Sequence, residues 1–409
     1  MDVALVLTHD CNLGCGYCYA GAKFNRRMPE QVVDRALELA FADGSPEVQV
    51  SFFGGEPLLA WDALVDAARK ARSMAGRRGV ALRMSVTTNG TLLTQERAAV
   101  LEDLDVYVGL SIDGVRQAHE AGRPKIGGGS SFDETLRGLD VLLSRGRPFE
   151  TISVVTPTNA RWLGESVAFL LGRGVPRLGL NPCYEAWFDD EALARWEAGL
   201  ERAADEMIDC FRRGRIVSIN VFDNKILAAL KGGLAPEDRC SLGTRMVAVA
   251  PSGNLYPCER LVGEDEGTRW VMGTVFDGVR VRGEACARGP VNAECDGCGE
   301  RSRCTSFCAC ANLAETGRTD VAGGTQCWHE RTTGRIADRI AATLWSERNV
   351  PFLAWFYGRL AGLPEAGATT ASSESHPSPG PTGGPDARPP VRSIPRHRTD
   401  GRRHLDVLR

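Results

Sequence analysis

The chain has 409 residues, 43% hydrophobic and 25% charged, a globular composition that excludes a disordered or fibrous protein. Its 52 acidic and 49 basic residues leave a net charge of −3, which argues against a nucleic-acid binder. No apolar run approaches the roughly 18 residues of a membrane span. The N-terminus, MDVALVLTHDCN, lacks the basic and long apolar regions of a signal peptide, so a cytoplasmic protein is expected.

Strand-like and helix-like runs alternate over the first 182 residues. VALVLT (3–8) reads as a strand, and Pro29 opens a helix through QVVDRALELAF. EVQVSFF (47–53) is a strand and 58–76 a helix; ALRMSVTT (81–88) is a strand and 94–104 a helix. DVYVGLSI (105–112) and FETISVVT (149–156) are strands, each followed by a helix, at 132–146 and 160–172. VPRLGLNP (175–182) is the sixth strand. Six such units predict an α/β fold with a parallel sheet, closed fully or partly into a barrel. Residues 184–239 read as an amphipathic helical bridge. Residues 240–346 are rich in Cys and Gly and end in a helix at 329–346; an apolar segment (347–363) follows. Residues 364–409, rich in Pro, Ser, Gly, Thr and Arg, predict a disordered tail.

Fourteen cysteines stand out. They fall well short of the roughly 8–10% of a disulfide scaffold. A cytosolic chain keeps thiols reduced, so clustered cysteines point to metal or catalysis. Cys11, Cys15 and Cys18 follow the first strand with C-x3-C-x2-C spacing. A four-iron cluster on three thiolates keeps one iron open for a small molecule, as a catalytic metal site requires. A zinc site completed by His9 is the competing reading. The loop, with Tyr17 before its third cysteine, resembles the radical S-adenosylmethionine (SAM) superfamily. The resemblance implies a partial (β/α)6 barrel, a [4Fe–4S] cluster on Cys11, Cys15 and Cys18, and cleavage of SAM to a 5′-deoxyadenosyl radical.

Further motifs fall where that family has them. Gly54-Gly55-Glu56-Pro57 ends the second strand; its two glycines permit a close ligand approach. The resemblance assigns Glu56 to the SAM amino group. Thr88-Asn89 and Ser111-Ile112-Asp113 end the third and fourth strands and match positions that contact the SAM ribose and carboxylate. Arg123 is carried over as an anion contact. As isolated turns these residues would be generic.

The second cysteine set comprises Cys240, Cys258, Cys295, Cys298, Cys304, Cys308 and Cys327. It resembles the SPASM domain of peptide- and protein-modifying radical SAM enzymes. That pattern puts Cys295, Cys298, Cys304 and Cys327 on a distal auxiliary cluster, and Cys240, Cys258 and Cys308 on one nearer the active site. Three clusters are expected in all; paired zinc knuckles are the competing reading. Cys183, Cys210, Cys286 and Cys310 fall outside the pattern and are expected to pack as small hydrophobes. An open iron in the proximal cluster, free to bind a substrate thiolate, is favoured over a fourth ligand from Cys310 or Cys286.

The resemblance implies a maturase of a ribosomally made precursor peptide, installing a thioether or carbon–carbon cross-link. An anaerobic sulfatase-maturing enzyme, forming formylglycine, is the alternative. Sulfatase maturases carry Asp after the cysteine equivalent to Cys258 and an extra cysteine soon after the first of the set. Here Glu259 stands there, as the candidate proton acceptor, and 241–257 holds no cysteine. With a strand beginning near residue 3, no N-terminal precursor-binding domain is expected, so a separate leader-binding protein would serve. An electron donor such as flavodoxin or ferredoxin is implied; no nucleic-acid or membrane partner is. A non-catalytic iron–sulfur or zinc sensor is a third possibility, disfavoured because a sensor needs no amino-acid-binding turn.

Overall fold

The computed structural model describes residues 1–42, 44–235, 238–240, 242–266, 269–280 and 292–360. The tail expected at 364–409, and Cys286, lie outside the described residues. Six strands, β1 (Asp2–Val6), β2 (Glu47–Phe53), β3 (Ala81–Thr88), β4 (Val106–Ser111), β5 (Phe149–Val155) and β6 (Arg177–Pro182), pair in parallel in sequence order. Their connections hold α1 (Glu30–Ala40), α2 (Trp61–Arg78), α3 (Gln95–Asp103), α4 (Arg116–Gly122), α5 (Phe132–Arg145) and α6 (Leu163–Gly172). The sequence reading missed α4, RQAHEAG, because seven residues without an apolar stripe carry no helical period.

Strand alternation sets the two faces of this sheet. Val48, Val50 and Phe52 of β2 are buried in the main core with Met84 and Val86 of β3 and Val106, Val108 and Leu110 of β4. The helices cover that face: α1 contributes Val32, Val33, Ala36, Leu37 and Ala40, and α2 contributes Ala67, Ala68, Ala71 and Ala75. The alternate residues Gln49, Ser51, Ser85, Thr87, Tyr107, Ser111, Glu150 and Ile152 line a cavity on the inner face. Most of them are polar, so that face is built to hold something other than a hydrocarbon core.

The helical bridge resolves into α7 (Asp190–Arg212), a short strand β7 (Ser218–Ile219) and α8 (Asn220–Lys231). β7 extends the sheet beyond β6. At the other edge, β8 (Met246–Val249) pairs in parallel with β1, in register Asp2↔Met246 to Leu5↔Val249. β9 (Asn254–Tyr256), β10 (Gly273–Thr274) and β11 (Gly278–Val279) follow antiparallel, completing one 11-stranded sheet. The cysteine-rich region therefore begins inside the barrel sheet.

Next come α9 (Ala309–Thr316), α10 (Gly324–Ser346) and α11 (Val350–Leu360). α10 packs on α7 and α8, and α11 buries Phe352 and Phe356, with Phe352 edge-on to Phe211. α10 begins five residues earlier than expected and carries Cys327 in its first turn. Lys225 of α8 and Glu330 of α10 form a buried ion pair. Lys225 also donates to the Arg303 carbonyl at 2.8 Å, and Glu330 accepts from the Thr305 amide and hydroxyl at 2.6 and 2.7 Å. These bonds tie the bridge to the segment bearing Cys304. Lys225→Met would leave the Glu330 carboxylate buried without its cation, a loss of about 3–5 kcal/mol. The variant should melt well below the parent in a thermal scan, and an unchanged midpoint would show that the pair is solvated.

Candidate active site

The loop after β1 is held from two sides. The Gly55 amide donates to the Thr8 carbonyl at 2.7 Å, and the Glu56 amide to the Asp10 carbonyl at 2.8 Å. On the other flank, the Gly14 amide donates to the Pro124 carbonyl at 2.8 Å, and the Ile126 amide to the Asn12 carbonyl at 3.1 Å. The glycines of Gly54-Gly55 serve this packing. A Cβ on Gly55 would lie 2.2 Å from the Asp10 carbonyl oxygen, and one on Gly54, at φ +151°, 2.5 Å from that of Thr8. Their smallness admits a neighbouring backbone, where the sequence reading gave the space to a ligand.

The three thiols line a cavity of about 480 Å³. Cys11 Sγ accepts from the Leu13 amide at 3.4 Å, and Cys18 Sγ from Lys23 Nζ at 2.9 Å. Burial pushes the Cys11 thiol up to about 11 and raises Cys15 as well. As free thiols Cys11 and Cys15 would stay protonated at neutral pH, so their ligation as thiolates has to be driven by a metal. His9 does not line the cavity; its ring stacks on Phe24 with centroids 4.6 Å apart. Among the described residues, no three His, Cys, Asp or Glu side chains close on one metal-ion position. A zinc ion needs its ligands at about 2.0–2.3 Å from one point. A four-iron cluster takes its thiolates on separate irons instead.

Glu56 is 1% exposed, and its carboxylate accepts three hydrogen bonds. It accepts from the Leu58 amide at 2.9 Å, the Thr88 hydroxyl at 2.7 Å and the Asn89 amide at 2.7 Å. Burial raises its carboxyl above the usual range, and these hydrogen bonds oppose the rise. A carboxylate has about four acceptor sites, so one remains for a ligand. Asn89 continues the chain: its side-chain amide donates to Asn12 Oδ1 at 2.8 Å, and Asn12 donates to Thr91 Oγ1 at 2.8 Å.

Asp113 and Arg123 form a buried ion pair at 3.1 Å. Asp113 also accepts from the Val154 amide at 2.9 Å and the Tyr17 hydroxyl at 2.5 Å. The Arg123 guanidinium lies 5.3 Å from the centroid of the Tyr17 ring. Gly122 leaves room for that ring: a Cβ there would be 2.5 Å from it. Gly54, Gly55, Glu56, Thr88, Asn89, Ser111 and Arg123 all line the cavity; Pro57 and Asp113 stand behind its wall. Arg123 Nε has no partner within the protein, which suits the anion contact expected of it.

The same cavity reaches the second cysteine set through Glu259 and Arg260. Cys258 Sγ donates to the Glu259 carboxylate at 3.4 Å, and Arg260 pairs with Glu185 at 2.6 Å over the ring of Tyr19. Cys258 gathers with Cys240, Cys308 and Cys310 in a separate apolar cluster. Cys295, Cys298, Cys304 and Cys327 together line a different cavity of about 490 Å³. All thirteen described cysteines are unbridged.

Several cavity residues escaped the sequence reading. Glu150 follows from the alternation in FETISVV, which was read for strand type and not for the face its polar residues share. Glu185 and Arg260 meet from 75 residues apart and have no local signal. Cys183, expected to be packing, is 5% exposed, lines the cavity and lies 3.7 Å from the Glu185 carboxylate.

Glu56→Gln replaces an acceptor oxygen by an NH2 that faces buried donors. Leaving one donor unmet costs about 1–3 kcal/mol. The ligand-free variant should unfold at lower temperature as well as bind SAM more weakly in a titration. Weaker SAM binding at an unchanged melting temperature would show that the carboxylate serves the ligand and not the loop.

Residues 5–170 match the family model of the radical SAM superfamily. An uncharacterized protein of Methanocaldococcus jannaschii is 32% identical over 180 residues, which are 43% of this chain and 60% of that protein. The match thus spans less than two thirds of that relative. A cysteine-type anaerobic sulfatase-maturating enzyme of Clostridium perfringens is 23% identical over 281 residues, 65% of this chain and 75% of the enzyme. The fold is like that of native anSMEcpe with bound AdoMet and Cp18Cys peptide, at TM-score 0.68 and 21% identity, over 84% of this chain and 99% of that one. It is also like Streptococcus suis SuiB bound to precursor peptide SuiA, at TM-score 0.55 and 17% identity, over 80% and 75%. The family match lies on the strand-and-loop framework that carries Cys11, Cys15, Cys18 and Glu56, so residues 5–170 are a radical SAM superfamily domain.

Proposed function

We propose that this protein is a radical SAM enzyme that modifies a precursor peptide in the cavity on the inner face of its sheet, forming a thioether or carbon–carbon cross-link. One observation carries the reading. A single cavity is lined by the Cys11–Cys18 loop and Glu56 on one side, and by Glu259 and Arg260 beside Cys258 on the other. Bound SAM and a [4Fe–4S] cluster on Cys11, Cys15 and Cys18 would supply a 5′-deoxyadenosyl radical there. Glu56, with the turn at Gly54-Gly55, would hold the amino group, and Thr88, Asn89 and Ser111 the rest of SAM. Arg123, fixed by Asp113 and Tyr17, would hold an anionic group. Glu259 would take the proton, and an auxiliary cluster the electron, released when a substrate radical forms its new bond. The relatives' chemistry supports a peptide partner, since anSMEcpe holds a Cp18Cys peptide and SuiB a precursor peptide. The remaining cysteines of the SPASM pattern would carry two auxiliary clusters, with ferredoxin or flavodoxin as electron donor and a separate protein binding the leader. No helix among the described residues is long and apolar enough to cross a membrane.

Formylglycine formation on a sulfatase is the second reading. It is favoured by the curated relatives that carry that activity in their names. Glu259, one methylene longer than Asp, can accept a proton in that reaction too.

Anaerobically reconstituted enzyme with SAM and a strong reductant should release 5′-deoxyadenosine. The combined Cys11→Ala, Cys15→Ala and Cys18→Ala variant should release none while keeping its other iron. Zinc in place of iron, or iron unchanged by the triple substitution, would sink the assignment. Mass spectrometry of a cysteine-bearing peptide substrate separates the two reactions. A cross-link removes two hydrogens and keeps every sulfur, whereas formylglycine formation removes the cysteine sulfur.

A further inference from the structure

We propose that Cys310 is the fourth protein thiolate of the cluster read at Cys240, Cys258 and Cys308, so that this cluster is closed to external thiols. The proposal rests on the reading that this cysteine set holds an iron–sulfur cluster. It reverses the expectation of an open iron, and its basis is geometric.

Spacing alone leaves Cys310 undecided. Two residues apart, side chains share a side on an extended chain and diverge on a helix. The structure breaks that tie. Cys308 is the residue before α9, with extended backbone at φ −71° and ψ 98°, and Cys310 lies in the first turn of the helix. Across this junction Cys310 is buried in one side-chain cluster with Cys258, and Cys308 packs against that cluster. Cys240 packs against it as well. The four cysteines thus gather at one place, drawn from three separate segments.

A structural cysteine of ordinary kind would be surrounded by carbon. Cys310 is 6% exposed and instead shares its cluster with the three cysteines read as ligands. The apolar residues Leu242 and Ala309 belong to the same cluster, and Met246 and Leu261 pack against it. These neighbours offer no oxygen or nitrogen ligand; the Glu259 carboxylate stands 3.4 Å from Cys258 Sγ, on the cavity side. Four thiolates are the ordinary complement of a [4Fe–4S] cluster. Cys310 supplies the count that 241–257, which holds no cysteine, does not. A cluster so closed leaves no iron for a substrate thiolate. Substrate would then be held by cavity side chains such as Glu185, Glu259 and Arg260.

The test uses the full chain carrying Cys11→Ala, Cys15→Ala and Cys18→Ala, so that no SAM-binding cluster with an open iron obscures the result. In this background Cys310→Ala should lose about half of the remaining iron, or keep a cluster whose electron paramagnetic resonance signal shifts on adding 2-mercaptoethanol. Without the Cys310 substitution, the signal should not respond to 2-mercaptoethanol. Cys310→Ser, which preserves volume and a weaker ligand atom, should retain iron with an altered signal, and Cys210→Ala should match the parent. The signal of the distal set reports that each variant is folded. Iron content and signals identical to the parent in both Cys310 variants would overturn the proposal. So would a parent cluster that responds to the thiol. The cluster reading itself is judged separately: if Cys240→Ala, Cys258→Ala and Cys308→Ala also retain all iron, there is no cluster at this set.

Discussion

The parallel pairing of β8 with β1 is the constraint from which the rest of the architecture follows. β1 has β2 on one side and β8 on the other, and the Cys11–Cys18 loop leaves its end. β8 leads through β9 to Cys258. Four backbone registers, Asp2↔Met246 to Leu5↔Val249, therefore fix two thiol sets that are more than 200 residues apart in sequence. A cavity touching both Cys18 and Glu259 exists because those strands are neighbours.

Buried charge then locks the loops that these strands present. Glu56, the Asp113–Arg123 pair and the Lys225–Glu330 pair each pin a segment bearing a candidate ligand or contact. A buried charge is costly unless it is paired and hydrogen-bonded. Each carboxylate here accepts from backbone amides or hydroxyls, and Asp113 and Glu330 are paired with a cation as well. The gain lies in position more than in net stability, because removing either partner leaves the other stranded. Asp113, which the resemblance would make a ligand contact, is hydrogen-bonded to Arg123 and Tyr17 and does not itself line the cavity.

The inner face of the sheet shows how the same strands serve packing and function. Alternation gives β2 through β5 one apolar face for the helices and one polar face for the cavity. A helix on the inner face would bury the polar ends of Gln49 and Glu150, beside Ser51 and Ser85, which hydrogen-bond to each other at 3.0 Å. Left open, that face accepts a polar ligand beside the thiols.

The sequence by itself determined the parallel α/β sheet, the order of its first six strands and the three-cysteine loop at the end of the first. Those features rest on runs of five or more residues with a clear period, and on a motif whose ligands are near neighbours in the chain. Tertiary structure decided what local pattern cannot encode. β8 is four residues long, with no periodic run to mark it, and it joins the sheet because β1 has a free edge. Gly54 and Gly55 have a sequence signal, yet only packing shows that their space is filled by the Thr8–Asp10 backbone. Cys310 was visible as a residue and ambiguous as a ligand. The turn from extended chain to helix at Cys308, together with burial in one cluster with Cys258 some fifty residues away, brings it to that cysteine set.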